Sequence, residues 1–343
     1  MARATTSTAA PPTATAAWIS STSSGATQAG ASPAARSRVS GAARTIRCRG
    51  SEMRFSVLLL AGVLLTGCGE PRVWNVPSAN HNSRIQHLVL HFTSENHQES
   101  LRLLTQATDA PVSAHYLIPD PRDPGWGRDE VVVLRLVPEE RRAWHAGRSH
   151  WAGTTALNDS SIGIEIVNES RCETPAGMNA VREPDERVCA FQPYDARQID
   201  ALVALLKGIL ERHPDIDPED VVGHADITPG RRVDPGPLFP WARLHEAGIG
   251  PWYEAEQVMR IRAGLAPEDL EAAAVQRALA AWGYGVTETG FFDADTRFAL
   301  EAFQMHFRPA RHDGVADAET VAILHALIAR YRPERYEELL AGA

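Results

Sequence analysis

The distribution of apolar positions divides the chain before any composition is counted. Residues 1–52 are dominated by Ala, Ser, Thr and Pro and carry almost no large apolar side chain, so they cannot bury a core. An apolar run follows at 55–65, too short for a stable membrane-spanning helix. A polar tether at 68–84 contains Pro71 and Pro77. Beyond it, a nearly continuous apolar run at 85–92 predicts a buried strand. Residues 100–106 predict a helix, 114–119 and 130–137 two strands around a Pro/Gly-rich loop, and 161–167 a further strand. Asp195 and Gln198 have the spacing of a capping box, and Ile199, Leu202, Val203, Leu206, Ile209 and Leu210 fall on one helical face behind it. His213 and Pro214 end that helix, and a short strand at 221–223 and a short helix at 238–247 follow. Strands and helices mixed in this order predict an α/β domain over 85–250, a mixed central sheet flanked by helices.

From residue 264 the pattern becomes helical and Ala-rich. Gly290-Phe-Phe-Asp-Ala-Asp-Thr296 recurs as Gly314-Val-Ala-Asp-Ala-Glu-Thr320, each copy placing an Asp at an N-cap and an acid two residues later. The apolar positions that follow are Ala299, Ala302 and Phe303 in one copy and Val321, Leu324 and Leu327 in the other. The pattern predicts a small all-α domain over 264–330, reached through a linker at 251–263 and followed by a tail at 331–343.

Charge narrows the function. The 343 residues carry 34 basic and 43 acidic side chains, a net charge of -9. That balance argues against a nucleic-acid partner, which selects for a basic face. The N-terminus changes the count. Met53 and Arg54 precede the apolar run, and small residues follow it, which is the layout of a secretory signal at 53–67. Residues 1–52 are then either a basic arm or sequence upstream of the true start at Met53. Counted from Cys68, 276 residues remain with 27 basic and 42 acidic side chains, a net charge of -15. Lys207 is the single lysine, so positive charge is supplied almost entirely by arginine. Cys172 and Cys189 flank a polar insertion, and in an exported protein their pairing as a disulfide is expected.

Three side chains form a candidate metal site: His91 near the end of the first strand, His224 after the short strand, and Asp234 ten residues later. Two imidazoles and a carboxylate leave a fourth zinc position open for water, the arrangement of catalytic zinc. Thirteen histidines allow many such triples, and spacing alone does not single out this one. Glu165 is a candidate base. In its strand Ile162, Ile164 and Ile166 share one face, which leaves Glu165 on the other beside Gly163. An acid within an apolar strand needs a task or a partner.

Several motifs in sequence order sharpen this. They are Leu90-His-Phe-Thr-Ser94, Ser113-Ala-His-Tyr-Leu-Ile118, Trp144-His-Ala-Gly147, Leu157-Asn-Asp-Ser-Ser-Ile-Gly-Ile-Glu165 and Val222-Gly-His-Ala-Asp226 with Arg232-Val-Asp-Pro-Gly-Pro237. Together they closely resemble the zinc-dependent N-acetylmuramoyl-L-alanine amidases, a family that includes the peptidoglycan recognition proteins, and within it the outer-membrane lipoprotein branch. The resemblance covers 83–330. It implies that His91, His224 and Asp234 hold Zn2+, that Glu165 is the general base, and that Tyr116 lies near the metal. Arg232 stands where the family usually has Lys; it keeps the charge but cannot act as a proton donor. Trp144, His145, Ala146 and Asn158 are implied to line the substrate side. The reaction implied is hydrolysis of the amide between N-acetylmuramic acid, or its 1,6-anhydro form, and L-alanine.

Leu65-Thr-Gly-Cys68 resembles the lipobox of bacterial lipoproteins, which implies acylation of Cys68. Gly69 after it implies retention in the outer membrane, facing the periplasm. The tail resembles peptidoglycan-binding domain type 1 through Val275-Gln-x-x-Leu279, Gly283-Tyr284, Phe303-Gln304 and Asp313-Gly314. That implies either a wall anchor or a helical appendage packed on the catalytic domain. The partners expected are peptidoglycan and muropeptides, and the oligomeric state expected is a monomer. Relatives that keep the fold but lose the metal leave a second reading, a non-catalytic peptidoglycan-binding lipoprotein; the complete ligand set with Glu165 favours the enzyme.

Overall fold

A computed structural model of the chain describes residues 74–80, 82–173 and 183–341. The extension at 1–52, the signal segment at 53–67 and Cys68 lie outside the described residues. Residues 74–80 are irregular and exposed, and the described residues from Asn82 onward form one unit. Among the described residues no helix is long and apolar enough to cross a membrane.

The elements run, in chain order, β1 His87–Phe92, α1 His97–Thr105, β2 Tyr116–Ile118, β3 Leu134–Arg135, β4 His150–Trp151, β5 Thr154–Thr155, β6 Ser161–Ile166, β7 Arg171–Glu173, β8 Val188–Ala190, α2 Ala196–Arg212, β9 Val221–Gly223, α3 His224–Ile227, α4 Trp241–Glu246, α5 Ala255–Gly264, α6 Ala272–Trp282, α7 Ala294–Phe307, α8 Ala318–Tyr331 and α9 Pro333–Ala341. Five strands form the central sheet in the order β3-β2-β6-β1-β9. Three of the four pairings are parallel and the edge strand β3 pairs antiparallel with β2, so the sheet is mixed, as the sequence predicts. β3 is shorter than the expected 130–137. β2 stops before Pro119, which has no N–H to extend a ladder, and only Leu134 and Arg135 find partners.

Register sorts the side chains. Leu88 and Leu90 of β1 share a face with Ile162, Ile164 and Ile166 of β6, and α2 covers that face with Ile199, Leu202, Leu206 and Ile209. α2 begins at the predicted place: the Asp195 carboxylate accepts from Arg197 N–H, and Gln198 Oε1 accepts from Asp195 N–H. The opposite face carries His91 and Glu165. α1 starts three residues before the expected 100, because Asn96 caps it by accepting from Glu99 N–H at 3.0 Å. β7 and β8 pair as a hairpin with Cys172 opposite Cys189, and a disulfide joins the two.

The sequence repeat has a hydrogen-bonding cause. Asp293 and Asp317 cap α7 and α8 by accepting from Thr296 and Thr320 N–H, both at 2.9 Å. A buried glutamine from the preceding helix locks each cap. Gln276 donates to Thr296 Oγ1 and accepts from Gly290 N–H, while Gln304 donates to Thr320 Oγ1 and accepts from Gly314 N–H. Each Gly–Asp–Thr unit is therefore read by one glutamine, and side chains rather than sheet pairing set the spacing of successive helices.

Two expectations about organisation are corrected. Residues 251–263 are not an extended linker: they contain α5, whose Val258 belongs to the buried core, and the tail at 331–343 contains α9. Nor is the core of the helical module separate from that of the α/β part. One buried cluster runs from Val89, Trp151, Leu157, Val222 and Ile227 of the α/β part into Leu279, Trp282, Phe303 and Phe307 of the helices. Trp151 packs edge-on against Tyr284, with centroids 5.2 Å apart, and Ala152 N–H donates to Gly283 C=O at 2.8 Å. Both halves contribute apolar side chains to this one cluster.

Closing 17 residues of chain with the Cys172–Cys189 bond is expected to contribute about 3 kcal/mol by restricting the unfolded ensemble. Urea unfolding of the Cys172→Ser/Cys189→Ser variant should show a loss of that order; no change in midpoint would mean the insertion is not held by this bond.

Candidate active site

The site lies at the carboxyl ends of the parallel strands, where side chains from several strands and their following loops can converge. His91, the next-to-last residue of β1, is in register with Glu165 of β6, and parallel neighbours in register point to the same face. β9 runs directly into α3, so His224 emerges from the end of the adjacent strand. The turn after α3 brings Asp234 back: Asp234 C=O accepts from Ala225 N–H at 2.8 Å. Among the described residues, His91, His224 and Asp234 are the one group of three buried side chains placed to hold a metal ion.

Their donor atoms form a near-equilateral triangle. His91 Nδ1 lies 2.9 Å from His224 Nδ1, and each nitrogen lies 3.0 Å from Asp234 Oδ2. The outer nitrogens fix which ring atoms are free. His224 Nε2–H donates to Ala146 C=O at 3.2 Å, which leaves Nδ1 with its lone pair. For His91 the assignment runs through two more residues. The Ser161 hydroxyl donates to Leu157 C=O, so toward His145 Nε2 it can only accept. His145 Nε2–H therefore donates to Ser161, its Nδ1 accepts from His91 Nε2–H at 3.1 Å, and His91 Nδ1 is left unprotonated. Both imidazoles present lone pairs to the centre of the triangle.

Electrostatics favours the same state. Burial lowers His224 to about 4, so it is neutral, the form that binds metals. Burial pushes Glu165 up to about 7; Asp234 adds to the rise, while His91 and Arg232 oppose it. Glu165 Oε2 is buried and has no hydrogen-bond partner among the described residues. The arrangement combines a metal-ready triangle with an adjacent carboxyl able to hold a proton near neutrality.

Residues 81–237 match the N-acetylmuramoyl-L-alanine amidase model and residues 269–324 a peptidoglycan binding domain model. The chain is 42% identical over 291 residues to the N-acetylmuramoyl-L-alanine amidase AmiD of Escherichia coli (strain K12), covering 81% of this chain and 98% of that protein. The chain belongs to the N-acetylmuramoyl-L-alanine amidases. Solved structures agree. AmpDh3 from Pseudomonas aeruginosa, in complex with anhydromuramic pentapeptide, superposes with a TM-score of 0.67 at 42% identity, over 77% of this chain and 99% of that one. AmiD from E. coli, in complex with anhydro-N-acetylmuramic acid-L-Ala-D-gamma-Glu-L-Lys, gives a TM-score of 0.63 at 42% identity, over 75% and 93%.

Within the amidase the expected site residues separate. Trp144, next to His145 in the chain, is 48% exposed. Its neighbours are not. His145 is buried in the relay to His91, and its ring lies over Gly163, the only residue type that leaves it room. Ala146 is buried, and its carbonyl serves His224. Asn158 is buried too: its Oδ1 accepts from the His145 and Ala146 N–H groups at 3.0 and 2.8 Å. These three shape the loop from within and do not line a substrate surface. Tyr116 is the clearest correction. It pairs with Ile164, not Glu165, so it faces α2 on the far side of the sheet and donates to Glu139 at 2.6 Å. Leu117 is the residue of β2 that flanks Glu165.

Arg232 is partly buried and close enough to affect both Glu165 and His224. The sequence reading passed over its neighbour Arg231, which donates to Ala146 and Arg148 C=O at 2.9 and 3.1 Å. Burial lowers Arg231 to about 10, and it braces the turn at Gly147, which has φ +61°. The Arg-Arg pair was the available signal. His115 accepts from Gly163 N–H and donates to Arg141 C=O, a structural role.

Glu165 makes stability depend on pH in the metal-free protein. Its carboxyl ionises at 4.5 when unfolded and at about 7 when folded, so the folded state is penalised progressively from pH 4.5 to 7 and fully above that. The shift corresponds to on the order of 3 kcal/mol. Metal-free Glu165→Gln should therefore melt higher than the parent at pH 8 and equally at pH 4. Gly163→Ala should overlap the His145 ring, costing about 1–3 kcal/mol and cutting muropeptide turnover more than Tm loss explains; unchanged turnover would separate His145 from the site.

Proposed function

We propose that this amidase is a zinc enzyme that hydrolyses the amide between the lactyl group of N-acetylmuramic acid, or its 1,6-anhydro form, and the L-alanine of the stem peptide. The observation that carries the reading is the triangle of His91 Nδ1, His224 Nδ1 and Asp234 Oδ2 beside Glu165. Two neutral imidazoles and one carboxylate suit zinc with its fourth position open. Donors bound to one zinc at about 2.0–2.2 Å stand a little over 3 Å apart in a tetrahedron, close to the separations here. The substrates in the AmpDh3 and AmiD complexes are anhydromuramyl peptides, which supports muropeptides as the substrate class.

When bound, zinc would supply the positive charge that acidifies a water and polarises the scissile carbonyl. Glu165 takes the proton of the attacking water on its buried Oε2 and returns it to the leaving L-alanine nitrogen. A carboxyl that ionises near neutrality can do both, which is what burial beside His91 and Asp234 produces. Arg232 offers fixed positive charge to the oxyanion that develops on the carbonyl, and being permanently protonated it contributes no proton. The exposed indole of Trp144 presents a flat apolar face to the substrate.

The location proposed is the periplasmic face of the outer membrane, through a lipid on Cys68, with the signal at 53–67 removed. The support is the lipobox-like Leu65-Thr-Gly-Cys68 and the following Gly69.

Mass spectrometry of purified muropeptides digested by the full chain tests the reaction. The expected product is free stem peptide, abolished by a chelator and restored by zinc. Glu165→Ala should lower the rate about 10²–10⁴-fold, and Arg232→Gln by about 10²–10³-fold with recovery in Arg232→Lys. Intact muropeptides after incubation with the zinc-loaded chain would leave the non-catalytic binding lipoprotein as the reading.

A further inference from the structure

The segment from His224 to Asp234 carries two of the three metal donors and Arg232, yet it is only eleven residues long and mostly irregular. The helical module grips it at two separate points.

The first is Asp226, on the single turn of α3. Its Oδ2 accepts from Gly223 N–H at 2.8 Å, just before His224. Its Oδ1 accepts from the Tyr284 hydroxyl at 2.7 Å, and its Oδ2 accepts from His306 Nδ1–H at 2.9 Å. Tyr284 follows α6 and His306 lies on α7, so both donors come from the helical module. The His306 ring is stacked on Trp241 of α4, with centroids 3.7 Å apart, and on Phe307 at 3.9 Å, which fixes its plane. Both donors are buried, where a lost partner is costly to the carboxylate.

The second point is Gly230, at φ +77° in the turn before Arg231. Phe298 of α7 lies where a Cβ at Gly230 would be, with its ring 2.8 Å from that position. Gly230 C=O accepts from Arg187 at 2.9 Å, and Arg187 is ion-paired at 3.2 Å to Glu301, also on α7, with both side chains almost fully buried.

We propose that the helical module is a positioning element of the active site: through Asp226 it sets the direction of His224, and through Gly230 it sets the turn that returns Asp234. The inference rests on reading those two side chains as metal ligands. Tyr284 and His306 are positioning residues; neither reaches the substrate. Removing a group that orients a metal ligand typically weakens metal affinity by about 10–100-fold. A residue that only stabilises the fold would lower Tm and leave the affinity alone.

The test uses the full chain and its Tyr284→Phe, His306→Ala, His306→Asn and Tyr284→Phe/His306→Ala variants. A fifth variant, Leu324→Ala, opens the core on α8, a helix that packs mainly on α5, α6 and α9. Zinc dissociation constants are measured by competition with a chromogenic chelator, and kcat and KM on muropeptide, all well below each variant's Tm. The double variant should bind zinc about 10–100-fold more weakly and lose kcat with KM nearly unchanged. His306→Asn, which keeps a donor near the Nδ1 position, should recover most of the loss. Leu324→Ala should lower Tm and leave zinc affinity as in the parent. Zinc affinity in the double variant within twofold of the parent, or an equal loss in Leu324→Ala, overturns the inference. A parent chain that binds no zinc overturns the metal reading itself, and this inference with it.

Discussion

Two imidazole nitrogens and a carboxylate oxygen, taken out of water and turned toward one another at 3 Å, have nothing to offer each other but lone pairs and at most a shared proton. Such a triangle is unfavourable on its own and useful only because a cation can fill it. The surrounding fold has to impose it. Parallel register carries His91 to the level of Glu165, the strand-to-helix junction delivers His224, and a braced turn returns Asp234. The outer ring nitrogens are then tied down, one by a backbone carbonyl and one by the His145–Ser161 relay, so that the inward atoms stay unprotonated. Gly163, Asn158 and Arg231 exist in this picture as supports of that relay and its loop.

The same constraint shows what was legible in the sequence. Alternation along one strand put Glu165 opposite an isoleucine face, and the structure has it there. The capped helix after Asp195 and the Gly–Asp–Thr repeat were legible because caps are local and use few residue types. Tyr116 was not, because its side depends on pairing with β6, and a one-residue difference in register moves a side chain to the other face. Asn158 and Ala146 were assigned to the substrate side because their motif surrounds the site; whether a motif residue faces out or in is decided by packing across 12 or more residues of chain. Trp144, in the same loop, is 48% exposed.

Sequence character does change near residue 264, and separate family models match on either side of that change. Periodicity cannot report, however, that the apolar faces of α6, α7 and α8 are shared with Trp151 and Val222. The expected linker is α5, and its burial against the helices is a tertiary fact with little local trace. The arginine-for-lysine exchange at 232 is easier to place: with Lys207 the single lysine, the chain uses guanidinium throughout, including Arg187 and the half-buried Arg231, where a planar fork can satisfy several acceptors at once.

The shared core separates the unit of inheritance from the unit of folding. The stretches recognised as two modules look like cassettes that could be recombined, yet Val89 and Val222, near His91 and His224 in the chain, lie in one apolar cluster with Phe303 and Phe307. A substitution in a helix of the module can therefore be answered by a compensating change in a strand of the sheet. The two halves of this chain are bound to drift together.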